Sequence, residues 1–165
     1  MHLQPATLED LQTVLTWIET PEQLKRWGGP LLSWPPRVEQ TWRQIEADTH
    51  KVFALVGENG EVTGLGQTLR REENGVHLGR IILSPALRGK GVGRVFMQNL
   101  IEKGSELFNP LFFSLYVYND NIPAVRLYRS LGFTVTETYA EDDSSRMELR
   151  VIEKQTGRFV NRPYG

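Results

Sequence analysis

A glycine-rich segment near the middle of the chain has the composition of an anion-binding turn. Residues 88–94 read RGKGVGR, so three glycines alternate with other residues and three basic side chains flank them. Glycine lets an oxyanion approach the main chain because no Cβ is in the way, and the amides of a helix N-terminus attract negative charge. The segment predicts a diphosphate site. The simpler alternative is a surface turn in which glycine merely relieves strain.

This segment fits neither of two common nucleotide-binding motifs. A Walker P-loop has Ser or Thr after its Lys to hold magnesium, whereas Gly91 follows Lys90. A Rossmann fingerprint follows the first parallel strand, whereas the strand before Arg88 is predicted to belong to an antiparallel meander. A nucleotide-binding protein is therefore the weaker alternative.

A second motif lies downstream of the glycine-rich segment. It has the pattern N-x-x-A-x-x-x-Y-x-x-x-G-F, with its fixed positions at Asn121, Ala124, Tyr128, Gly132 and Phe133. Residues 88–93 also follow the pattern Q/R-x-x-G-x-G/A, after the lead-in Ile-Leu-Ser-Pro at 82–85. The two motifs, in this order, resemble the GNAT family of N-acetyltransferases. The resemblance covers residues 51–139 well and the first fifty residues only in outline.

The resemblance implies acetyl-CoA as co-substrate. In GNAT enzymes the glycine-rich turn holds the pyrophosphate, and the strand before it pairs with the pantetheine arm in a slot beside the strand at 111–117. Asn121 corresponds to a position that often contacts pantetheine, although it fits the N-cap of the next helix equally well. The residues that the resemblance assigns to the cofactor are Ile81, Ile82, Leu83, Arg88, Gly89, Lys90, Gly91, Val92, Gly93, Arg94, Asn121, Ala124 and Tyr128.

Tyr128 is the candidate general acid. Attack of an amine on a thioester expels a thiolate, and a positioned proton donor lowers that barrier. A phenol, with an ordinary pKa of about 10, is protonated at neutral pH, and many GNAT enzymes use a tyrosine at this position. The alternative is a half-buried helix tyrosine that packs beside Ala124 and Leu131.

The sequence offers more than one candidate for the general base. Many GNAT enzymes place a glutamate on the strand ahead of the glycine turn, where this chain has His77. Histidine has a suitable ordinary pKa, so His77 could act directly or through water, or be an exposed strand residue. Glu72 and Glu73 are expected in a solvated hairpin turn. A water chain with no dedicated base is a further alternative.

Four tryptophans lie in the first third of the chain and could line an acceptor pocket. Trp17 and Trp42 lie on the side of their predicted helices that is expected to face the core. Trp27 and Trp34 are expected in a loop framed by glycines and prolines, and loops commonly carry function. We therefore predict that Trp27 and Trp34 contact the acceptor.

Composition excludes several classes of function. Nineteen basic and twenty acidic residues give a net charge of −1. The chain therefore lacks the excess of basic residues that is typical of nucleic-acid-binding proteins. No apolar run is long enough to span a membrane, and the N-terminus does not read as a signal peptide. The chain has no cysteine and three scattered histidines, so no metal site is expected. We expect a cytoplasmic monomer or homodimer.

Local patterns predict the elements that carry these residues. Two Asn-Gly pairs, at 59–60 and 74–75, predict turns that join three strands into an antiparallel meander. Helices are predicted at 8–18, 37–48, 91–103 and 121–131, and strands at 52–56, 62–70, 76–83, 111–117, 133–139 and 146–152. The helix between the strands at 76–83 and 111–117 predicts that these two strands are parallel.

The predicted fold class is α+β and GNAT-like. It has a central mixed, mostly antiparallel sheet of six to seven strands with helices on both faces, in which the fourth and fifth strands are parallel and splayed. We expect one N-acetyltransferase domain over residues 1–165. Within it, 1–50 is a variable helical acceptor-side region, 51–139 is the acetyl-CoA-binding core, and 140–165 is a closing strand and tail.

The predicted activity is transfer of the acetyl group to a primary amine by direct attack in a ternary complex, because no cysteine can carry an acetyl intermediate. The acceptor is a small-molecule amine, a protein N-terminus or a lysine side chain. The alternative is a non-catalytic acyl-CoA sensor or partner subunit with the same fold.

Overall fold

A computed structural model describes residues 1–154 and 157–160, and the side chains of residues 1–152. Its elements, in chain order, are β1 His2–Pro5, α1 Leu8–Leu15, α2 Pro21–Gly28, α3 Val38–Gln44, β2 Val52–Val56, β3 Val62–Leu69, β4 Gly75–Leu83, a short 3₁₀ helix Pro85–Leu87, α4 Val92–Phe108, β5 Phe112–Tyr118, α5 Ile122–Ser130, β6 Thr134–Tyr139, β7 Ser144–Lys154 and β8 Gly157–Val160.

The strands follow the order β1-β2-β3-β4-β5-β7-β6, with β8 paired to β7. β4 and β5 are parallel, with Gly75 opposite Phe112 and His77 opposite Ser114. The pairs β1–β2, β2–β3, β5–β7 and β6–β7 are antiparallel. This arrangement confirms the predicted fold class, a mixed and mostly antiparallel sheet with one parallel pair. β8 lies in the segment predicted as a tail, and residues 161–165 lie outside the described part.

The chain divides into two compact units by its internal contacts. Unit 1 comprises Met1–Leu69 and Gly79–Leu100, and unit 2 comprises Arg70–Leu78 and Ile101–Gly165. β4 and α4 each contribute residues to both units. The expected single domain with its three segments stays a prediction.

The core of unit 1 joins the first helices to the first strands. Its buried side chains include Leu11, Val14, Ile45, Val52 and Leu65. Removing apolar surface of this kind from water is the main driving force of folding. α1 begins where the sequence predicts, because Thr7 and Asp10 form a reciprocal capping box.

The first fifty residues differ from the prediction in several places, and α1 ends at Leu15 rather than at residue 18. They are not wholly helical, because β1 pairs with β2, with His2 opposite Val56 and Pro5 opposite Phe53. The strand has four residues and a proline, which gives no local strand signal, and proline is tolerated there because β1 lies at an edge. α3 also ends earlier than predicted, shortly before Glu46, whose φ of 58° is not helical.

Unit 2 has an apolar and a polar face on β5 and β7. Successive side chains of a strand point to opposite faces, and the fully covered Phe113, Leu115, Met147 and Leu149 occupy one of them. The alternating positions Ser114, Tyr116, Arg146 and Glu148 therefore occupy the other face.

Candidate active site

The glycine-rich turn has the conformation that its sequence predicts. Gly89 and Gly91 have φ angles of 76° and 78°, in the region that side chains with a Cβ rarely adopt. A Cβ added at either glycine would meet no atom within 4 Å. The main chain of the turn is therefore open to an approaching group.

Cations and a helix N-terminus border this turn. Arg88, Lys90 and Arg94 are exposed, and α4 begins at Val92. The first amides of a helix have no partner within it and lie at the positive end of its dipole. The Arg88 guanidinium donates to the carbonyl oxygen of Leu83 at 3.2 Å. These groups fit a diphosphate.

β4, which leads to the turn, contains a distortion that the sequence does not reveal. Arg80 has a φ of 50° in the middle of the strand, a conformation that costs a residue other than glycine about 1–3 kcal/mol. The flanking cofactor candidates Ile81, Ile82 and Leu83 are half-buried.

The Arg80 side chain is held by hydrogen bonds within unit 1. Its guanidinium donates to the Gly28 carbonyl at 3.1 Å, to the Gln67 side-chain oxygen at 2.8 Å and to the Ile45 carbonyl at 3.4 Å. Gln67 is fully buried and donates in turn to Ile45 at 2.8 Å. The sequence alone does not reveal this network, because its partners are far apart in the chain.

The tryptophans divide differently from the prediction. Trp27 lies in α2 rather than in a loop, and its indole N–H donates to the Arg80 carbonyl at 2.8 Å. Trp34 lies in the loop and is 43% exposed. Trp17 and Trp42 pack against the core of unit 1, as their phase predicts. The contact of Trp34 with an acceptor stays a prediction, while Trp27 has a structural partner.

Tyr128 lies on α5 in unit 2. It is half-buried, and its ring centroid lies 6.0 Å from that of Phe133. Burial raises the pKa of Tyr128 to about 12. The phenol therefore keeps its proton throughout the neutral range.

The start of α5 also follows the prediction. The Asn121 side chain accepts the amide N–H of Ala124 at 3.4 Å, which is the N-cap role that the sequence left open beside pantetheine contact. Gly132, with a φ of 104°, follows the helix, and its conformation is the one expected after a helix C-terminus.

His77 is half-buried and lines an open cavity of about 510 Å³ in unit 2. Its Nδ1 lies 2.8 Å from the Ser114 hydroxyl oxygen, and its ring centroid lies 4.8 Å from that of Tyr116. The ring of Tyr116 in turn contacts that of Tyr139 edge to face at 5.9 Å. The cavity residues are Arg71, Glu72, His77, Tyr116, Thr136, Glu137, Tyr139, Arg146 and Glu148.

Glu72 is exposed in the turn before β4, as predicted, and it is also part of this cavity. Both of its carboxylate oxygens accept from Arg146 Nη2, at 2.9 and 3.0 Å. One of them also accepts from the Ser114 hydroxyl at 3.4 Å. Arg146 comes from β7, 74 positions later in the chain, which is why no local pattern indicated the pair. Glu73 is exposed.

The charges of the cavity are largely paired. Arg146 Nη1 also donates to Glu148 at 2.6 Å. Burial lowers the pKa of Arg146, but the bonds to Glu148 and Glu72 outweigh burial and raise that pKa above its ordinary value. Tyr139 donates its hydroxyl to Glu137, and this hydrogen bond is the main reason that the pKa of Tyr139 rises to about 12.

The described residues also bear on two other kinds of function, metal binding and membrane insertion. They contain no group of three or more His, Asp or Glu side chains that could hold a metal ion. None of their helices is both long and apolar enough to cross a membrane.

The sequence of the chain matches the family described as "Acetyltransferase (GNAT) family" over residues 13–133. This match includes the glycine-rich turn, β4, β5 and α5. The chain belongs to the GNAT family. The resemblance inferred from the two motifs is thereby confirmed, and it extends into the helical region before residue 51.

Two curated relatives share part of the sequence. A mycothiol acetyltransferase from Corynebacterium kroppenstedtii is 30% identical over 172 aligned positions, which cover 81% of this chain and 46% of the relative. A UPF0039 protein from Schizosaccharomyces pombe is 28% identical over 94 positions, which cover 56% of this chain and 61% of the relative. This GNAT chain thus spans about half the length of the curated relatives it matches.

Solved structures share the fold. The spermidine N-acetyltransferase from Vibrio cholerae, in complex with CoA and spermine, has a TM-score of 0.76 at 19% identity, with 90% of this chain and 94% of that chain covered. An aminoglycoside acetyltransferase in complex with coenzyme A has a TM-score of 0.70 at 17% identity, with the same coverage. At such identities the likeness establishes the GNAT fold alone.

Proposed function

We propose that this GNAT protein transfers the acetyl group of acetyl-CoA to a primary amine by direct attack in a ternary complex. The observation that carries the proposal is the open turn at Gly89 and Gly91, bordered by exposed cations and by the start of α4. Membership of the GNAT family supports the same activity. The structural neighbours named above, which are acetyltransferases in complex with CoA, are consistent with it.

In this proposal the turn binds the pyrophosphate of coenzyme A. The amides of residues 89–93 donate hydrogen bonds to the phosphate oxygens, and the side chains of Arg88, Lys90 and Arg94 add charge. The backbone of residues 81–83 pairs with the pantetheine arm, and Asn121 and Ala124 contact it, as the family resemblance implies. When bound, acetyl-CoA supplies the activated acetyl thioester.

Tyr128 is the proposed general acid. Its phenol holds a proton, since burial raises its pKa to about 12, and it donates that proton to the departing sulfur. The high pKa also keeps Tyr128 protonated at the alkaline pH values at which an alkyl amine, with a pKa of about 10, begins to lose its own proton.

His77 is the proposed general base, and the cavity of unit 2 is the proposed acceptor site. A volume of about 510 Å³ is in the range of small-molecule sites, which favours a small amine over a lysine on a protein surface. Glu72, Glu137 and Glu148 outnumber Arg71 and Arg146 among the lining residues. An excess of carboxylates attracts an ammonium group.

Purified protein with acetyl-CoA and a panel of small amines tests the proposal. Acetyl-CoA should raise the melting temperature, because a ligand that binds only the folded state stabilises it, and mass spectrometry should detect an acetylated amine. ATP serves as the control ligand. A melting shift with acetyl-CoA but no transfer to any amine would favour the non-catalytic acyl-CoA sensor. A shift with ATP alone would favour a nucleotide-binding protein.

A further inference from the structure

A chain of hydrogen bonds runs across the polar face of unit 2 and includes His77. The Arg146 guanidinium donates to Glu72 at 2.9 and 3.0 Å, and the Ser114 hydroxyl donates to Glu72 at 3.4 Å. The Ser114 oxygen lies 2.8 Å from His77 Nδ1. Each of these contacts lies within unit 2.

The direction of the last hydrogen bond follows from the number of protons available. A carboxylate accepts hydrogen bonds and donates none, and a serine hydroxyl has one proton. When Ser114 gives that proton to Glu72, its oxygen accepts at the contact with His77, and the proton in that contact is on Nδ1 of the imidazole.

Burial and packing keep this arrangement in place. Ser114 has no exposed surface, so its hydroxyl cannot turn toward bulk water instead. The Tyr116 ring, with its centroid 4.8 Å from the His77 centroid, restricts rotation of the imidazole. Arg146 fixes the Glu72 carboxylate through both oxygens.

We propose that Ser114 and Glu72 are positioning residues that hold neutral His77 with its proton on Nδ1, so that the basic lone pair is on Nε2. This inference rests on the proposed function, in which His77 accepts the proton of the amine. The orienting group of a catalytic histidine is often a carboxylate in direct contact, whereas here a buried serine stands between the carboxylate and the ring.

The tautomer of His77 can be measured without any turnover. The chain has three histidines, so long-range ¹H–¹⁵N NMR of the imidazoles gives few signals, and those of His77 are identified by their loss in His77→Gln. At a pH where His77 is neutral, we expect a protonated nitrogen at Nδ1 and an unprotonated nitrogen at Nε2. An unprotonated Nδ1 would overturn the proposal.

Glu72→Gln tests the role of the carboxylate, with Glu73→Gln as its matched control. A glutamine can donate to Ser114 through its amide, which frees the serine proton to point at His77 Nδ1 and allows the other tautomer. We expect Glu72→Gln to give a signal for a protonated Nε2 and to lower kcat by about tenfold, less than the loss of the base itself. Glu73 is exposed and outside the cavity lining, so Glu73→Gln should match the unmodified protein.

The outcomes separate this inference from the proposed function. If Glu72→Gln keeps the original ¹⁵N pattern, Glu72 does not set the tautomer, and the positioning proposal is wrong even if His77→Gln abolishes turnover. If the pattern changes as expected but His77→Gln turns over normally, the tautomer assignment stands, and the role of His77 as base is what fails.

Discussion

His77 and Ser114 lie opposite each other on the parallel strands β4 and β5, with Nδ1 of the imidazole 2.8 Å from the serine hydroxyl oxygen. The pairing places a histidine at the border of a cavity whose other titratable groups are mostly tied to one another. We therefore propose His77 as the group in unit 2 that takes a proton from an acceptor.

His77→Gln should lower kcat by about 10²-fold or more, which is the range for loss of a general base. Steady-state kinetics with the best amine of the panel measure this effect. The melting shift caused by acetyl-CoA should persist, because His77 is not assigned to the cofactor. His2→Gln, at an exposed position of β1, is the control, and equal activity of the two variants would exclude His77 as the base.

Tyr128→Phe should lower kcat by about 10²-fold, since only the proton donor is removed. Phenylalanine keeps the ring that packs near Phe133, so the protein should still fold and bind acetyl-CoA. Tyr118→Phe on β5, another half-buried tyrosine, controls for loss of a hydroxyl. Unchanged turnover by Tyr128→Phe would show that another group protonates the sulfur.

The free energy of unfolding should depend on pH in the alkaline range because Tyr128 is buried. The folded state keeps this proton up to a pKa of about 12, whereas an unfolded chain loses it near 10. The unfolded state then binds fewer protons, so the free energy of unfolding falls as the pH rises from about 10 toward 12. Urea unfolding over this range should show a shallower decline for Tyr128→Phe, and parallel curves would contradict the raised pKa.

Arg80 should stabilise unit 1 through its side chain despite its strained backbone. Arg80→Ala leaves the buried Gln67 oxygen and the Gly28 carbonyl without this donor, and we expect a loss of about 2–4 kcal/mol in the free energy of unfolding. Arg80→Gly loses the same hydrogen bonds, but glycine adopts the positive φ without strain. The free energy of unfolding of Arg80→Gly should therefore be about 1 kcal/mol higher than that of Arg80→Ala. Denaturant unfolding measures both variants, and a more stable Arg80→Ala would contradict the role of φ.

The parts that the sequence predicted are those with local causes. The capping box of Thr7 and Asp10, the Asn121 cap and the positive φ angles of Gly89, Gly91 and Gly132 depend on neighbouring residues only. Their motifs therefore specify them directly. The sequence also predicted the parallel pairing of β4 and β5, because a helix that connects two strands of one sheet restricts their relative direction.

The parts that the sequence did not predict depend on distant partners. Glu72 accepts hydrogen bonds from Arg146, which lies 74 positions away in the chain. The Trp27 indole donates to the carbonyl of Arg80, which lies 53 positions away. A glutamate at a turn and a tryptophan near glycines have the same local pattern whether or not such partners exist. Only the register of the strands brings Ser114 between His77 and Glu72.

Lys90→Ala should weaken acetyl-CoA binding by about fivefold, as expected for loss of one exposed charge-assisted contact. The affinity of the unmodified protein should also fall as salt rises, because exposed charges are screened. Isothermal titration calorimetry measures both effects. Lys25→Ala, which removes an exposed cation of α2, should bind normally, and equal weakening by both substitutions would indicate a nonspecific charge effect.

The most direct test of the proposed function follows the amides of the turn during a titration with acetyl-CoA. In ¹H–¹⁵N NMR spectra, the amide signals of Gly89, Gly91 and Gly93 should shift strongly and saturate with the same dissociation constant as calorimetry gives. Gly60, in the turn between β2 and β3, serves as the glycine control. If the three turn glycines stay unmoved while acetyl-CoA binds, the pyrophosphate is held elsewhere and the proposed cofactor site is wrong.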